Sequence, residues 1–259
     1  MALAPRVNVF LVCGGRYHDM DYARVELLKL LGEHDRIRVR VGEDYSNTAA
    51  IDAADLLVTY TCDVIPSDAQ QPVLERFLQG GKRWLALHGT NSILKWSKEH
   101  KAWTAPRVAP AFMQMLGSQF LAHPPIAPYR VEPTSPGHAL VRDIGAFDAD
   151  DELYLCEWHG EHECLMHTHF GGAAPGFVDQ GWDTARRHPV LYLRRHGAGE
   201  ILYCTLGHCR GPYDMQPLMP EYPVVERGAW KLPQFHEILR RGIRWGARID
   251  ADATGRAAS

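Results

Sequence analysis

The sequence predicts an α/β fold with a mostly parallel sheet and helices on both faces. Short apolar runs alternate with amphipathic stretches in the first third of the chain, and 46% of the 259 residues are hydrophobic. Strands that alternate with helices favour a parallel sheet, because each right-handed crossover places its helix on one face. We predict one domain over residues 1–249, followed by a disordered tail over residues 250–259.

Four strands and two helices are predicted in the first half. Val7–Cys13 is a continuous apolar run that ends at a glycine pair, as expected of a strand buried on both faces. The other strands are predicted at 37–41, 55–61 and 83–87, and the helices, each of which stops at glycine, at 22–31 and 66–79. These elements supply the parallel part of the sheet.

The second half is less regular. Pro110–Gln119 is predicted to be a short helix, and the proline-rich Ile126–Pro136 an extended or edge segment. Strands are predicted at 152–156 and 164–170, and a hairpin joins 189–193 to 200–206 through a glycine-containing turn. A helix over 232–247 closes the domain.

Composition excludes several classes of protein. The net charge is −3 with scattered Lys and Arg, which argues against a nucleic-acid partner. No apolar run near the start approaches a membrane span and no signal peptide is evident, so we expect a soluble, cytoplasmic protein without a membrane partner.

Six cysteines in apolar runs indicate reduced thiols. Gly14-Gly15 lacks the spacing of a dinucleotide-binding loop, so no nucleotide cofactor is expected. Base rates favour a symmetric homo-oligomer.

Lys82–Thr90 carries the most informative motif. It reads as a buried strand ending in a tight turn, with small residues two positions before and two after His88 and a glycine beside it. This is the steric pattern of the nucleophile turn in α/β hydrolases, but an imidazole stands where Ser or Cys is usual. His88 is therefore either part of an active site with different chemistry or a core histidine satisfied by a backbone partner.

Histidines follow other predicted strands as well. Functional groups of parallel α/β sheets collect at the carboxyl edge, where His18 follows the first strand, His88 the fourth, and His208 the hairpin. Imidazoles that meet there suit acid–base catalysis near neutral pH or coordination of a divalent metal. Glu152, at the start of its predicted strand, is either a solvated cap or a catalytic carboxylate.

A second group of metal-binding residue types lies between residues 156 and 169. Its members are Cys156, His159, His162, Cys164, His167 and His169. No pair has the spacing typical of a structural zinc site, so structural zinc is the less favoured interpretation. His167 and His169 share one strand face and point either into a pocket or to solvent.

Taken together, these residues resemble the ThuA-like family of the class I glutamine amidotransferase-like superfamily. The resemblance runs from about Val7 to Trp245 and rests on Gly14-Gly15 with His18-Asp19, Gly80–Gly89, Asp151–Tyr154, Gly207-His208 and Ile243–Trp245. It implies a flavodoxin-like three-layer sandwich. It also puts His88 in the place of the amidotransferase cysteine and His208 at or near the catalytic histidine, which argues against amide hydrolysis through a thioester.

The resemblance implies a role in carbohydrate catabolism, with a sugar or oxidised sugar as ligand. We predict an enzyme of lyase, hydratase or hydrolase type that acts on a C–O bond of a sugar or keto-sugar. In this prediction His208 is the base, Glu152 a proton shuttle, and His18 and His88 polarise the carbonyl by hydrogen bonds or, with His208, through a bound divalent metal such as zinc or manganese.

Two alternatives stay open from the sequence. One is a non-catalytic sugar-binding or partner subunit whose pocket presents aromatic side chains to a sugar, and the candidates are Trp96, Trp158 and Trp182. The other is a metal-dependent amidase or esterase that uses the same histidines.

Overall fold

A nine-stranded sheet with helices on both faces organises residues 5–249, the part of the chain that the computed structural model describes. The strands are β1 (Val7–Gly15), β2 (Ile37–Gly42), β3 (Leu56–Cys62), β4 (Arg83–Leu87), β5 (Lys95–Ser97), β6 (Ala102–Thr104), β7 (Ser118–Ala122), β8 (Ala127–Pro133), β9 (Phe147–Asp151), β10 (Leu155–Trp158), β11 (Glu163–Ala173), β12 (Gly181–His196) and β13 (Gly199–Cys204). The helices are α1 (Met20–Gly32), α2 (Thr48–Ala53), α3 (Gln71–Gln79), α4 (Pro110–Leu116) and α5 (Pro233–Gly246).

The sheet has a parallel half and an antiparallel half. Its order is β2-β1-β3-β4-β13-β12-β11-β8-β9. Neighbours from β2 to β13 are parallel, and neighbours from β13 to β9 are antiparallel. The pairs β5–β6 and β7–β10 form two small sheets. The parallel half therefore has a carboxyl edge of the kind at which α/β proteins assemble their sites.

Alternation along β1 explains the three layers. Leu11 belongs to the apolar cluster that contains buried residues of α1 and α5, whereas Phe10 belongs to the one that contains those of α2, α3 and α4. Successive side chains of a strand point to opposite faces, so a strand that is apolar throughout needs helices on both sides. The predicted flavodoxin-like three-layer sandwich is confirmed.

Most predicted elements of the parallel half are present. The four strands and the helices over 22–31 and 232–247 lie within two residues of their predicted ends. The helix predicted from Pro66 begins only at Gln71, because 67–70 form a turn. Helix α2 was not predicted. It has six residues and an Asn47 cap, and is too short to show a helical period.

Two predictions in the second half are wrong in detail, and a third is confirmed in one of its two alternatives. The helix predicted to end at Gln119 stops at Leu116, because Gly117 is left-handed with φ +83°, and β7 follows. The segment over 126–136, predicted to be extended or at an edge, contains β8 and is therefore extended, whereas the edge of the sheet is β9. The strand predicted from Glu152 begins only at Leu155, because the residues from 152 to 154 are all buried and cross the core between β9 and β10.

Two further expectations concern the state of the cysteines and the crossing of a membrane. The six cysteines all lie among the described residues and are free thiols, as predicted. Over residues 5–249, no helix combines the length and apolar character that crossing a membrane requires. The tail predicted over 250–259 lies outside the described residues.

Candidate metal centre

Three histidines and one glutamate meet at the carboxyl edge of the parallel strands. His18, His88, Glu152 and His208 are buried, and one ligand atom from each lies within 4.8 Å of those of the other three. The sequence predicted all four as site residues, and the structure brings all four together. The edge position predicted for the three histidines follows from where β1, β4 and β13 end, and Glu152 directly follows β9.

The turn after β4 holds His88 in a strained conformation. His88 has a φ of +45°, which is uncommon for a residue with a side chain. A Cβ on Gly89 would lie 2.6 Å from the carbonyl oxygen of Thr61, so only glycine allows this turn to approach β3. The Tyr203 hydroxyl donates to the carbonyl of His88 at 2.6 Å and anchors the turn. The predicted nucleophile-type turn is therefore present, with an imidazole at its tip.

The loop between β1 and α1 carries His18. Tyr17 has a φ of +70°, and the following Asp19 caps α1 by accepting from the backbone N–H of Tyr22 at 3.0 Å. The backbone N–H of Asp19 donates to the carbonyl of Cys209 at 2.9 Å, which joins this loop to the loop that contains His208. These contacts direct the His18 ring towards His88.

A buried carboxylate, that of Asp151, positions His208. It accepts hydrogen bonds from the backbone N–H groups of Gly207 at 3.1 Å, His208 at 3.1 Å, Ala229 at 2.8 Å and Glu152 at 2.8 Å. An anionic acceptor shared by several backbone donors makes strong bonds. The Asp151 carboxylate therefore links three chain segments, at residues 151–152, 207–208 and 229, next to the four-residue cluster.

Glu152 is the acidic member of the cluster and contacts all three imidazoles. Its Oε1 lies 3.1 Å from Nδ1 of His208, and its Oε2 lies 3.5 Å from Nε2 of His88 and 3.6 Å from Nε2 of His18. Oε1 also accepts from the Arg210 guanidinium at 3.3 Å. The negative charge is thus central to the cluster.

Hydrogen bonds determine which nitrogen of His18 and His88 carries hydrogen. Nδ1 of His18 lies 3.2 Å from the carbonyl of Arg16, and Nδ1 of His88 lies 2.8 Å from that of Thr205. A carbonyl only accepts, so Nδ1 is the donor and Nε2 of each neutral ring carries a lone pair. The two Nε2 atoms lie 2.9 Å apart. Two lone pairs at that distance repel unless one nitrogen is protonated or both bind the same cation.

In His208 the hydrogen-bond donor is Nε2 rather than Nδ1. Its Nε2 donates to Oε2 of Glu226 at 2.7 Å, so the lone pair of the neutral ring is on Nδ1. That Nδ1 is buried, and although Oε1 of Glu152 is near, the two atoms lack hydrogen-bond alignment. Three imidazole nitrogens and a carboxylate therefore point at one another, each ring being held by a partner on its far side.

Burial and charge set the pKa values of this cluster in the absence of bound ions. Burial lowers the pKa of His18 to about 3, so its ring is neutral near pH 7. Burial also opposes the charge on His208, but the Glu152 carboxylate outweighs it and raises the pKa of His208 to about 9. Despite the opposing effect of burial, the nearby His208 and His123 hold the pKa of Glu152 well below its usual range. Glu152 is therefore an anion at neutral pH.

The donor set fits a divalent transition metal. Neutral imidazole nitrogens and a carboxylate oxygen are the ligands of zinc and related ions in proteins. Each histidine donates its other N–H to a carbonyl or carboxylate, which is how metal-bound imidazoles are oriented. Nδ1 of His208 lies 3.1 Å from Oε1 of Glu152 without hydrogen-bond alignment, as is expected of two ligand atoms that face a common ion rather than each other. His18, His88, His208 and Glu152 therefore have the arrangement of a metal ligand set.

A cavity of about 260 Å³ opens onto this cluster. His18 and Glu152 form part of its floor, whereas His88 and His208 lie behind them and are fully buried. The aromatic part of its wall comprises Tyr17, Trp103, Phe120, Tyr154 and Phe177, and its polar part includes His123 and Arg210. The cavity thus combines aromatic faces with a few converging polar groups, as is typical of small-molecule sites.

The tryptophans that the sequence suggested for a sugar pocket do not line this cavity. Trp158 stacks on His162 at 4.5 Å, Trp182 packs beside Arg186, and Trp96 lies outside against Trp103. The tryptophan that lines the cavity is Trp103. Sequence reasoning found the residue type but not the position, because β5 and β6 form a small separate sheet.

Sequence reasoning also missed three polar residues of the site, namely His123, Arg210 and Glu226. His123 follows β7, which belongs to the small β7–β10 sheet, so the edge argument for the parallel strands does not reach it. Glu226 lies in an irregular segment where no periodicity points to it. The thiols of Cys62 and Cys209 are near the same edge. Burial raises the pKa of both, that of Cys209 to about 12, which leaves them poor nucleophiles.

The cysteine- and histidine-rich segment does not converge on one site. Cys156 contacts Asn91, His159 lies beside Glu157, and His162 stacks on Trp158. His167 and His169 alone approach each other, beside Glu132. This agrees with the interpretation that the segment as a whole is not a structural zinc site.

Fold and site together define a class, that of α/β proteins with a flavodoxin-like sheet and a histidine-bearing turn at its carboxyl edge. The chain belongs to the ThuA family, described as trehalose utilisation, whose model matches residues 6–220. The resemblance seen in the sequence is thus confirmed.

Solved structures agree with this assignment. A ThuA-like protein from Bacteroides uniformis superposes with a TM-score of 0.64 at 16% identity, over 95% of this chain and 93% of that one. One from Parabacteroides merdae gives 0.60 at 15% identity, over 93% and 90%. A β-galactosidase from Rahnella sp. R3 gives 0.56 at 11% identity, over 95% of this chain and 32% of the enzyme. These identities show the fold alone. No curated protein matches the sequence.

Proposed function

We propose that this protein is a metal-dependent enzyme that acts on a C–O bond of a sugar or keto-sugar. The observation that carries the proposal is the convergence of one nitrogen from each of three imidazoles and the Glu152 carboxylate on one buried point. Membership of a family described by trehalose utilisation supports a carbohydrate ligand. The aromatic cavity supports it too, because aromatic faces pack well against the C–H faces of sugar rings.

His18, His88, His208 and Glu152 would hold the metal. When bound, it would supply Lewis-acid polarisation of a carbonyl or hydroxyl oxygen of the ligand. Access would be from the side of His18 and Glu152, which face the cavity, whereas His88 and His208 close the rear. A cavity of about 260 Å³ suits a ligand the size of one sugar ring.

We assign the base to His123 rather than to His208. Both nitrogens of His208 are engaged, one by Glu226 and one at the convergence point. His123 lies on the cavity wall, and its Nδ1 donates to the carbonyl of Pro124 at 2.7 Å. Its Nε2 lone pair is therefore directed to the cavity side and lies 3.7 Å from Oε1 of Glu152. That is the arrangement that a general base requires.

An elimination on a keto-sugar illustrates what these residues would do. Nε2 of His123 takes the proton from the carbon next to the ketone, and the C–H electron pair becomes that of an enolate. The enolate electron pair then forms a C=C bond to the next carbon while the C–O bond of that carbon breaks, and the leaving oxygen, which keeps the C–O electron pair, takes the proton from His123. Arg210, a cation on the cavity wall, favours the negative charge that develops.

Replacement of His123 by glutamine is expected to lower kcat by about 10²–10⁴-fold, because proton transfer loses its base. The protein is first reconstituted with zinc or manganese and then incubated with a panel of glycosides and their keto derivatives. Mass spectrometry detects the released products. Metal content should stay at the wild-type value, since His123 is not in the ligand set. The exposed His100→Gln variant is the matched control and should keep full activity.

The non-catalytic alternative makes a different prediction for the same panel. A sugar-binding subunit would bind saccharides tightly without turnover, and stripping the metal with a chelator would not change their affinity. That outcome would contradict the proposed enzyme. Loss of turnover on stripping, restored by added metal, would support it.

A further inference from the structure

A second group of metal-ligating side chains lies on the antiparallel half of the sheet. Glu132 on β8 is the Cα partner of His167 on β11, and His169 follows two residues later on the same strand. Oε2 of Glu132 lies 3.8 Å from Nε2 of His167 and 3.9 Å from Nδ1 of His169. One ligand atom from each residue lies within 4.8 Å of those of the other two.

His167 is the member of this group that packing alone leaves unexplained. Its residue is 5% exposed, and its Nε2 has no hydrogen-bond partner. Its Nδ1 lies 2.7 Å from the hydroxyl of Thr134, and in the tautomer whose Nδ1 hydrogen that hydroxyl accepts, the lone pair is on Nε2. The unsatisfied nitrogen therefore points at the carboxylate of Glu132, with the ring held from behind.

We infer that Glu132, His167 and His169 form a second transition-metal site, selective for zinc-like ions. Two imidazole nitrogens and one carboxylate oxygen match zinc, whereas magnesium and calcium prefer oxygen ligands alone. Zinc usually has four ligands, so three protein ligands leave one position open. Water can reach that position because His169 and Glu132 are half exposed at the protein surface. The site is separate from the cluster at the carboxyl edge, and the inference does not depend on the proposed enzyme activity.

The charge around the group predicts weaker binding than at the buried cluster. Arg187 pairs with His169 across β11 and β12, and its positive charge disfavours a cation nearby. The Glu132 carboxylate opposes that effect. The site should therefore fill after the buried cluster in a titration.

The test is calorimetric titration of metal-stripped, full-length protein with zinc chloride. The Glu132→Gln, His169→Ala double variant is expected to bind one zinc equivalent fewer than the wild type. Both changed side chains are about half exposed, so its thermal unfolding without metal should match that of the wild type. The exposed His100→Ala variant is the control and should bind as many equivalents as the wild type. Equal stoichiometry in the double variant and the wild type would overturn the inference.

A second pair of proteins separates this site from the cluster at the carboxyl edge. In a His88→Ala, His208→Ala background, zinc binding that remains and is then removed by Glu132→Gln with His169→Ala establishes the second site, whatever happens at the first. A background that binds no zinc at all overturns the second site and leaves the first intact.

Discussion

The Glu152→Gln variant is expected to bind zinc at the buried cluster at least about 100-fold more weakly than the wild type. Loss of an oriented partner outside the ligand set already costs about 10–100-fold, and Glu152 is placed as a ligand. The amide that replaces it is neutral and a poor metal ligand, yet it has nearly the same shape. Competition with a chromophoric chelator measures the change on metal-stripped protein.

Glu163→Gln is the matched control for this experiment. Glu163 is exposed at the start of β11 and lies in neither ligand group, so its loss changes the net charge by the same amount without touching the site. Its zinc affinity should equal that of the wild type. Unchanged zinc affinity in Glu152→Gln would show that the carboxylate is not a ligand.

Replacing Asp151 by asparagine is expected to destabilise the protein by about 3 kcal/mol, because several buried backbone donors lose an anionic acceptor. For a chain of this size, that lowers Tm by roughly 6–12 °C. The new amide also presents N–H groups where only acceptors fit. Since Asp151 positions the backbone of His208, zinc affinity should fall as well. Urea unfolding followed by circular dichroism gives the free energy.

The neighbouring Asp150→Asn variant is the control for local charge and sequence. Asp150 is exposed on the same strand, so its replacement should change the free energy of unfolding by no more than about 0.5 kcal/mol. Equal free energies of unfolding in the two variants would show that the buried Asp151 carboxylate does not hold together the loops after β9 and β13.

The convergence of the three histidines of the cluster is predictable from the sequence for a topological reason. A parallel sheet collects at one edge whatever follows its strands, so His18, His88 and His208 could be expected together once β1, β4 and β13 were recognised. The turn at His88 is also predictable from the sequence. The turn approaches β3 so closely that the residue after His88 must be glycine, and Gly89 is visible in the sequence.

The rest of the site depends on contacts that no local pattern encodes. Glu152 was taken for a residue at the start of a strand, because the apolar run after it resembles one, whereas the segment crosses the core. The role of Asp151 arises from backbone N–H groups up to 78 residues away in sequence. His123 follows β7, a strand whose first two residues the predicted helix includes and whose remainder is not predicted. Trp103 lies in a two-stranded sheet that is too short to show alternation.

The metal content of the untagged, dialysed protein tests the central claim most directly. Mass spectrometry would compare the wild type with a His88→Ala, His208→Ala double variant prepared in the same way. We expect a near-stoichiometric transition metal such as zinc or manganese in the wild type and its loss in the variant. A wild type that holds no metal after incubation with zinc or manganese, or that holds no more than the variant, would contradict the assignment of His18, His88, His208 and Glu152 as a metal centre.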